Sequence, residues 1–160
     1  MRILLSTVGA ALVSVTFGVL PVPVSRDAPY PEGYRHWTHV RSGMIGPNNP
    51  GFAAFGGLHH IYANEAAMRG YASGAFPDGA TLVFDRFEAI TSTDDVTTEG
   101  ARQVIDVMRK DSAAFPATGG WGFDEFRGSS RVRTDASRAA CARCHSTQRG
   151  HDFVFSTYVE

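Results

Sequence analysis

Only two cysteines occur in the 160 residues, and both lie in one run, Cys141-Ala142-Arg143-Cys144-His145. Thiols three positions apart fall on one helical turn, and an imidazole follows directly. Two sulfurs at that spacing can each add to a vinyl group of one haem, which holds the adjacent imidazole under the iron. The run therefore reads as c-type haem attachment, with Cys141 and Cys144 as the covalent anchors and His145 as the proximal iron ligand. The expected cofactor is one covalent haem c. Two other chemistries use the same cysteine spacing. A zinc site needs a second tightly spaced ligand pair, and beyond His59-His60 the histidines are scattered. A redox dithiol needs a βαβ context that the flanking sequence lacks.

A chain that carries a porphyrin must bury it as well as a core, and 43% hydrophobic residues with 11% aromatic are enough for both in one domain. The formal charge of −1 leaves no electrostatic footprint for nucleic acid or an anionic membrane. Met1-Arg2 followed by the apolar stretch 3–20 resembles an export signal, with residues 1–25 as the leader and cleavage near Ser25. Pro21-Val22-Pro23-Val24-Ser25 has no clean Ala-x-Ala, so a retained N-terminal anchor stays open as the alternative. Export to the periplasm agrees with the haem reading, because bacterial c-type haem is attached outside the plasma membrane. No membrane insertion is expected once the leader is removed.

Residues 26–33 read as a polar, Pro-containing linker, and 34–160 as the haem domain. Residues 34–40 suit a short helix or turn leading into a strand, 46–51 an exposed loop, and 58–63 a strand. Asn64 is placed to cap a helix over 65–72 that ends at Ser73-Gly74. After the turn Phe76-Pro77-Asp78-Gly79, residues 80–90 alternate as a long strand, and 91–100 read as a polar acidic loop. Residues 102–110 read as a strand, with a helix over 101–108 as the alternative, and 121–126 as another strand. Thr134 or Asp135 is placed to cap the helix carrying 139–145, and 153–158 is expected to close the chain as a strand. The expected fold class is α+β, mainly β: an antiparallel sheet with short flanking helices and a C-terminal haem-attachment helix.

Several pieces in this order resemble one family. They are Tyr34-Arg35-x-Trp37, His60-Ile61-Tyr62, Gly74-x-Phe76-Pro77-Asp78-Gly79 with its strand, Lys110-Asp111 ahead of Gly120-Trp121-Gly122-Phe123, the haem motif, and Asp152-x-Val154-Phe155. The chain resembles cytochrome P-460 and its relative cytochrome c′-beta over nearly all of its length after the leader. The resemblance implies an antiparallel sheet, a homodimer and one haem with an open distal iron position. In cytochrome P-460 enzymes, which oxidise hydroxylamine, a lysine on the strand after the Phe-Pro-Asp-Gly turn is cross-linked to the porphyrin. Here that position is Phe84, and the only lysine, Lys110, matches a different place in the family, so no cross-link is expected. Cytochrome c′-beta covers the distal face with phenylalanines, and by that resemblance Phe84 and Phe55 form the cap. Rings without a lone pair exclude water and favour small neutral diatomics such as nitric oxide.

His59 and His60, as strand neighbours, point to opposite faces, so at most one looks toward the haem. Met44, Met68 and Met108 are read as core residues rather than axial ligands. Arg86 and Arg143 are candidates for pairing with propionates, and Asp111, Asp124 and Glu125 for accepting a proton. Three functions follow: an exported cytochrome that binds nitric oxide or a similar nitrogen ligand, a hydroxylamine oxidoreductase, and an electron carrier with a Met or His opposite His145. A redox partner protein is expected in each.

Overall fold

The computed structural model describes residues 28–136 and 138–159. The expected leader, 1–25, lies outside them. Five strands form one antiparallel sheet in sequence order: β1 (Thr38–Ile45), β2 (Gly57–Ala63), β3 (Thr81–Thr91), β4 (Thr97–Lys110) and β5 (Trp121–Arg127). Among the described residues three α-helices accompany it: α1 (Phe52–Phe55), α2 (Glu65–Ser73) and α3 (Arg138–His145). This is the expected mainly β architecture with a C-terminal helix. Among the described residues, no helix is long and apolar enough to cross a membrane.

Local chemistry sets α2 where the sequence put it. The Asn64 side chain accepts from Ala67 N–H at 2.9 Å, and Gly74 ends the helix with a left-handed φ of 81°. Asn64 also accepts from Thr81 N–H at 3.0 Å, so one side chain starts α2 and ties it to the first residue of β3.

Strand register then divides the side chains between two faces, because directly paired residues project the same way. On one face Ala63, Leu82, Met108 and Phe123 form a row across β2 to β5. Ala67, Phe76, Trp121 and Val154 close over that row as the larger core cluster. The next row on this face is Ile61, Phe84, Asp106 and Glu125, and beyond it come His59 and Arg86. All six are only half-buried.

The opposite face carries Tyr62, Val83, Ile105, Val107 and Phe126, covered by Ala28, Tyr30, Tyr34 and Trp37. Residues 28–33, read from sequence as a linker, therefore pack onto the sheet, and Ala28 N–H donates to buried Asp124 at 2.6 Å. In the middle of this face Asp85 is 0% exposed. Its carboxylate accepts from Tyr34 Oη at 2.6 Å and from Arg102 Nε at 2.8 Å. Burial, then the Asp85 contact, raises the Tyr34 pKa well above the usual phenol range. Removing the carboxylate strands a phenol and a guanidinium, so Asp85→Ala is expected to cost about 3–5 kcal/mol, read as a fall in the urea midpoint. A loss below about 1 kcal/mol would contradict the buried pair.

Four expectations are corrected. The loop after β3 spans only residues 92–96, since β4 begins at Thr97; Ser92 exchanges backbone hydrogen bonds across a tight turn and lets the polar residues 97–100 pair as strand. Residues 153–158 form no strand. Their backbone groups are taken by other partners: Phe153 N–H donates to Gln148 O, Val154 N–H to His151 O, and the Phe153 and Val154 carbonyls pair with histidine Nδ1 atoms. Helix α3 begins at Arg138, too late for a cap at Thr134 or Asp135, and the Thr134 hydroxyl instead donates to Glu125 at 3.0 Å. Met44, expected in the core, is 59% exposed on edge strand β1.

Candidate functional site

Helix α3 is anchored at its start by Arg138, which reaches Asp124 Oδ1 at 2.6 Å. At its end the Ser146 and Thr147 hydroxyls donate to the Arg143 and Cys144 carbonyls, satisfying groups a helix terminus leaves open. Cys141 packs against the larger core cluster and Cys144 is exposed, with both thiols free. Burial, then Asp106 and Glu125, pushes the Cys141 thiol pKa up. Those two carboxylates lie in the half-buried row, so α3 presents Cys141 toward that row.

His145 sits between two rings, with centroids 5.0 Å from Phe123 and 5.0 Å from Phe155. Its Nδ1 lies 2.8 Å from the Phe153 carbonyl oxygen. A carbonyl only accepts, so Nδ1 carries the proton and the lone pair is on Nε2. Burial lowers the His145 pKa, with the Phe153 contact opposing it, which favours the neutral ring. A neutral imidazole with its far nitrogen tied to a carbonyl is the form that ligates a metal.

The half-buried row itself spans three inter-strand steps, roughly 14 Å. Phe84 lies in it and stacks on His59, with centroids 4.6 Å apart and planes 23° apart. His59 thus faces this side, while His60 turns to the other, where Nδ1 meets Ser42 Oγ at 2.7 Å. His60 Nε2 lies 2.6 Å from Glu99 Oε1, off the line of a straight hydrogen bond. The His59 ring needs Gly43 opposite it on β1, where a Cβ would stand 2.8 Å from Cε1. His59 Nδ1 is buried with no hydrogen-bond partner, and burial, then His60 and Arg41, lowers its pKa. Arg86 donates to the Gly56 carbonyl at 3.1 Å and to Gln103 at 2.5 Å, yet its buried Nε makes no hydrogen bond.

Asp106, opposite Phe84 on β4, is the functional candidate that sequence reasoning missed. Burial, then Glu125, raises its carboxyl pKa to about 7, against the pull of Arg86 and Arg127. The signal was present in the alternation of Val104, Asp106 and Met108 with Ile105 and Val107. The strand reading of 102–110 already put Asp106 on that face, but its burial and its neighbour Glu125 come from the fold.

The other candidates are placed as follows. Asp124 holds Arg138 and Ala28, and Asp111 holds Ala114 N–H at 3.0 Å, so both are occupied structurally. Glu125 lies beside Asp106 but is shared with Arg127 and Thr134. Arg143 is exposed. Phe55, on α1, is 45% exposed, and no ring contact joins it to Phe84 among the described residues. Met68 packs at the core margin and Met108 inside the core. Lys110 is 8% exposed and donates to Asp152 at 2.7 Å and to the Gly119 carbonyl at 2.9 Å. Among the described residues no cluster of three or more His, Cys, Asp or Glu is arranged to hold a bare metal ion.

The residues present fit a haem. They offer an imidazole with its lone pair on Nε2, two thiols on the same short helix, and an adjoining half-buried row in which Phe84 stacks on His59, with unsatisfied buried nitrogens on His59 and Arg86 beside it. In comparison with curated proteins, nothing matches. A family model described as Cytochrome P460 does match, over residues 31–156 and so over most of the chain, from the segment that packs beneath the sheet to the loop that holds His145. The chain therefore belongs to the cytochrome P460 family and is a haem-binding cytochrome.

Proposed function

We propose that the protein is an exported mono-haem c-type cytochrome, bonded through Cys141 and Cys144 and ligated by His145, that takes a small nitrogen ligand of the nitric oxide class. Haem iron, when bound, supplies a coordination position and one-electron redox chemistry. The observation that carries this reading is the stacking of the Phe84 ring on His59, at a position that, by the resemblance, holds the cross-linked lysine in the hydroxylamine-oxidising enzymes. Lys110 is held instead by Asp152 and the Gly119 carbonyl. Phe84 offers no lone pair and excludes water, and Phe55 is assigned as the second cover. Periplasmic location, a homodimer and a redox partner belong to the same proposal, supported by the apolar N-terminal run and by the resemblance.

A second reading, oxidation of hydroxylamine, is favoured by Asp106. A carboxyl with a pKa of about 7 next to Phe84 is available as a proton acceptor, and its basic form grows as the pH rises through that value.

Spectra with nitric oxide and turnover assays with hydroxylamine and an electron acceptor, on wild type and Asp106→Asn, separate the two. The first reading expects a high-spin protein that binds nitric oxide in both forms and shows no turnover. The second expects turnover that rises through pH ~7 in wild type and falls by about 100-fold in Asp106→Asn. A low-spin spectrum inert to both ligands overturns both readings in favour of an electron carrier.

A further inference from the structure

We propose that Lys110 and Asp152 are positioning residues for the iron ligand: together they hold the Phe153 carbonyl against His145 Nδ1 and so set how strongly His145 donates to the metal. The proposal rests on the haem reading above. Among the described residues the Phe153 carbonyl is the only polar partner of the imidazole, at 2.8 Å, since its other close neighbours are the rings of Phe123 and Phe155.

That carbonyl belongs to a segment no local preference would produce. Two successive non-glycine residues, Asp152 with φ 44° and Phe153 with φ 66°, occupy the left-handed region. Such a pair persists only where its surroundings impose it. Asp152 is bound at three points. Oδ2 accepts from Phe76 N–H at 2.8 Å, Oδ1 from Lys110 Nζ at 2.7 Å, and the backbone carbonyl from Trp121 Nε1–H at 2.9 Å. Lys110 is fixed in turn, with Nζ donating to the Gly119 carbonyl at 2.9 Å and standing 5.0 Å from the Trp121 ring centroid. The Phe153 ring lies over Gly119, whose φ is +68° and where a Cβ would stand 2.2 Å from the ring.

A buried ion pair is a weak source of net stability, but it fixes the direction of whatever backbone it grips. Here it grips the residue before the acceptor of the ligand's proton. A carbonyl on Nδ1–H makes Nε2 a stronger donor. A stronger donor favours the more highly charged ferric iron and lowers the reduction potential.

The test measures the midpoint potential and the ferrous iron–histidine stretching frequency of the haem-loaded wild type, Lys110→Met and Asp152→Asn. Both variants are expected to raise the potential, shifting the ferrous-to-ferric ratio by about threefold, ~28 mV for a one-electron couple at ~59 mV per decade. The stretching frequency falls with it. Coloured variants that melt earlier, but keep the wild-type potential and frequency, would overturn the proposal and leave the pair a structural pin. If Lys110→Met does not fold, Asp152→Asn, which keeps its size and an acceptor for Phe76 N–H, decides the question alone. A wild type that holds no haem overturns the haem reading along with this one, whereas coloured variants with unmoved values overturn only the positioning role.

Discussion

Serine at both Cys141 and Cys144 is expected to abolish covalent haem completely. Wild type should keep its colour through denaturing electrophoresis and weigh one haem more than the bare polypeptide. The double variant should do neither. Each single variant keeps one thiol and is expected to retain one bond. Loss of the bound group also removes linked stability. A ligand held at a thousand times its dissociation constant is worth about 4 kcal/mol. For a chain of this size that corresponds to a melting point roughly 10 °C lower. The physical source is the half-buried row of Ile61, Phe84, Asp106 and Glu125, which lies beside α3 and is only partly covered by the polypeptide. A wild-type protein that stays colourless when made with working haem-attachment machinery would refute the assignment.

Trp121→Ala is expected to be the most destabilising single change away from the haem. Trp121 is 0% exposed, packs edge-on against Phe76 at 5.5 Å between centroids, and donates from Nε1 to the Asp152 carbonyl at 2.9 Å. Truncation to alanine costs about 3–5 kcal/mol in a packed core, and an abandoned buried carbonyl adds about 1 kcal/mol or more. Against a total stability of about 5–15 kcal/mol, this is enough to leave the weaker folds of this size partly unfolded. Denaturant titration followed by circular dichroism measures it. Trp121→Phe keeps most of the packing and should lose about 1–2 kcal/mol. Equal losses in the two variants would mean that ring volume contributes little and the indole hydrogen bond nearly everything.

Much of the fold was legible because its signals are local. Asn64 and Gly74 bracket α2 by capping chemistry that depends only on neighbours, and the turn formers at 46–51 and 77–79 break the chain where the sequence indicates. The alternation along β3 was also readable, although not which face would hold the charge. Asp85 is buried among Tyr34 and Arg102, residues 51 positions before it and 17 after it. The expected final strand failed for the same reason. Residues 153–158 have strand-like composition, but His145 and His151 take the carbonyls of Phe153 and Val154, which a strand would need for a ladder. Asp106 went unnoticed because an acid on a strand acquires a raised pKa only when the fold buries it and brings a second acid, here Glu125, beside it. The single lysine was expected not to be a cross-linker, and nothing in the sequence indicated the partner it has in the fold, Asp152, 42 residues away.

By itself the sequence determined what the chain can grip: two thiols and an imidazole within five residues, a spacing that constrains chemistry whatever surrounds it. It also determined, through the order of its motifs, the family to which the chain belongs. Only the tertiary structure decided which face of the sheet adjoins that grip. There His59 and Phe84 lie together while His60 is turned away, and the Phe153 carbonyl is held against His145 by an ion pair. Bonding at the motif depends on covalent spacing along the chain. Burial, hydrogen bonding and proton affinity depend on distances between residues far apart in sequence, and those arise only when the sheet is assembled in one register.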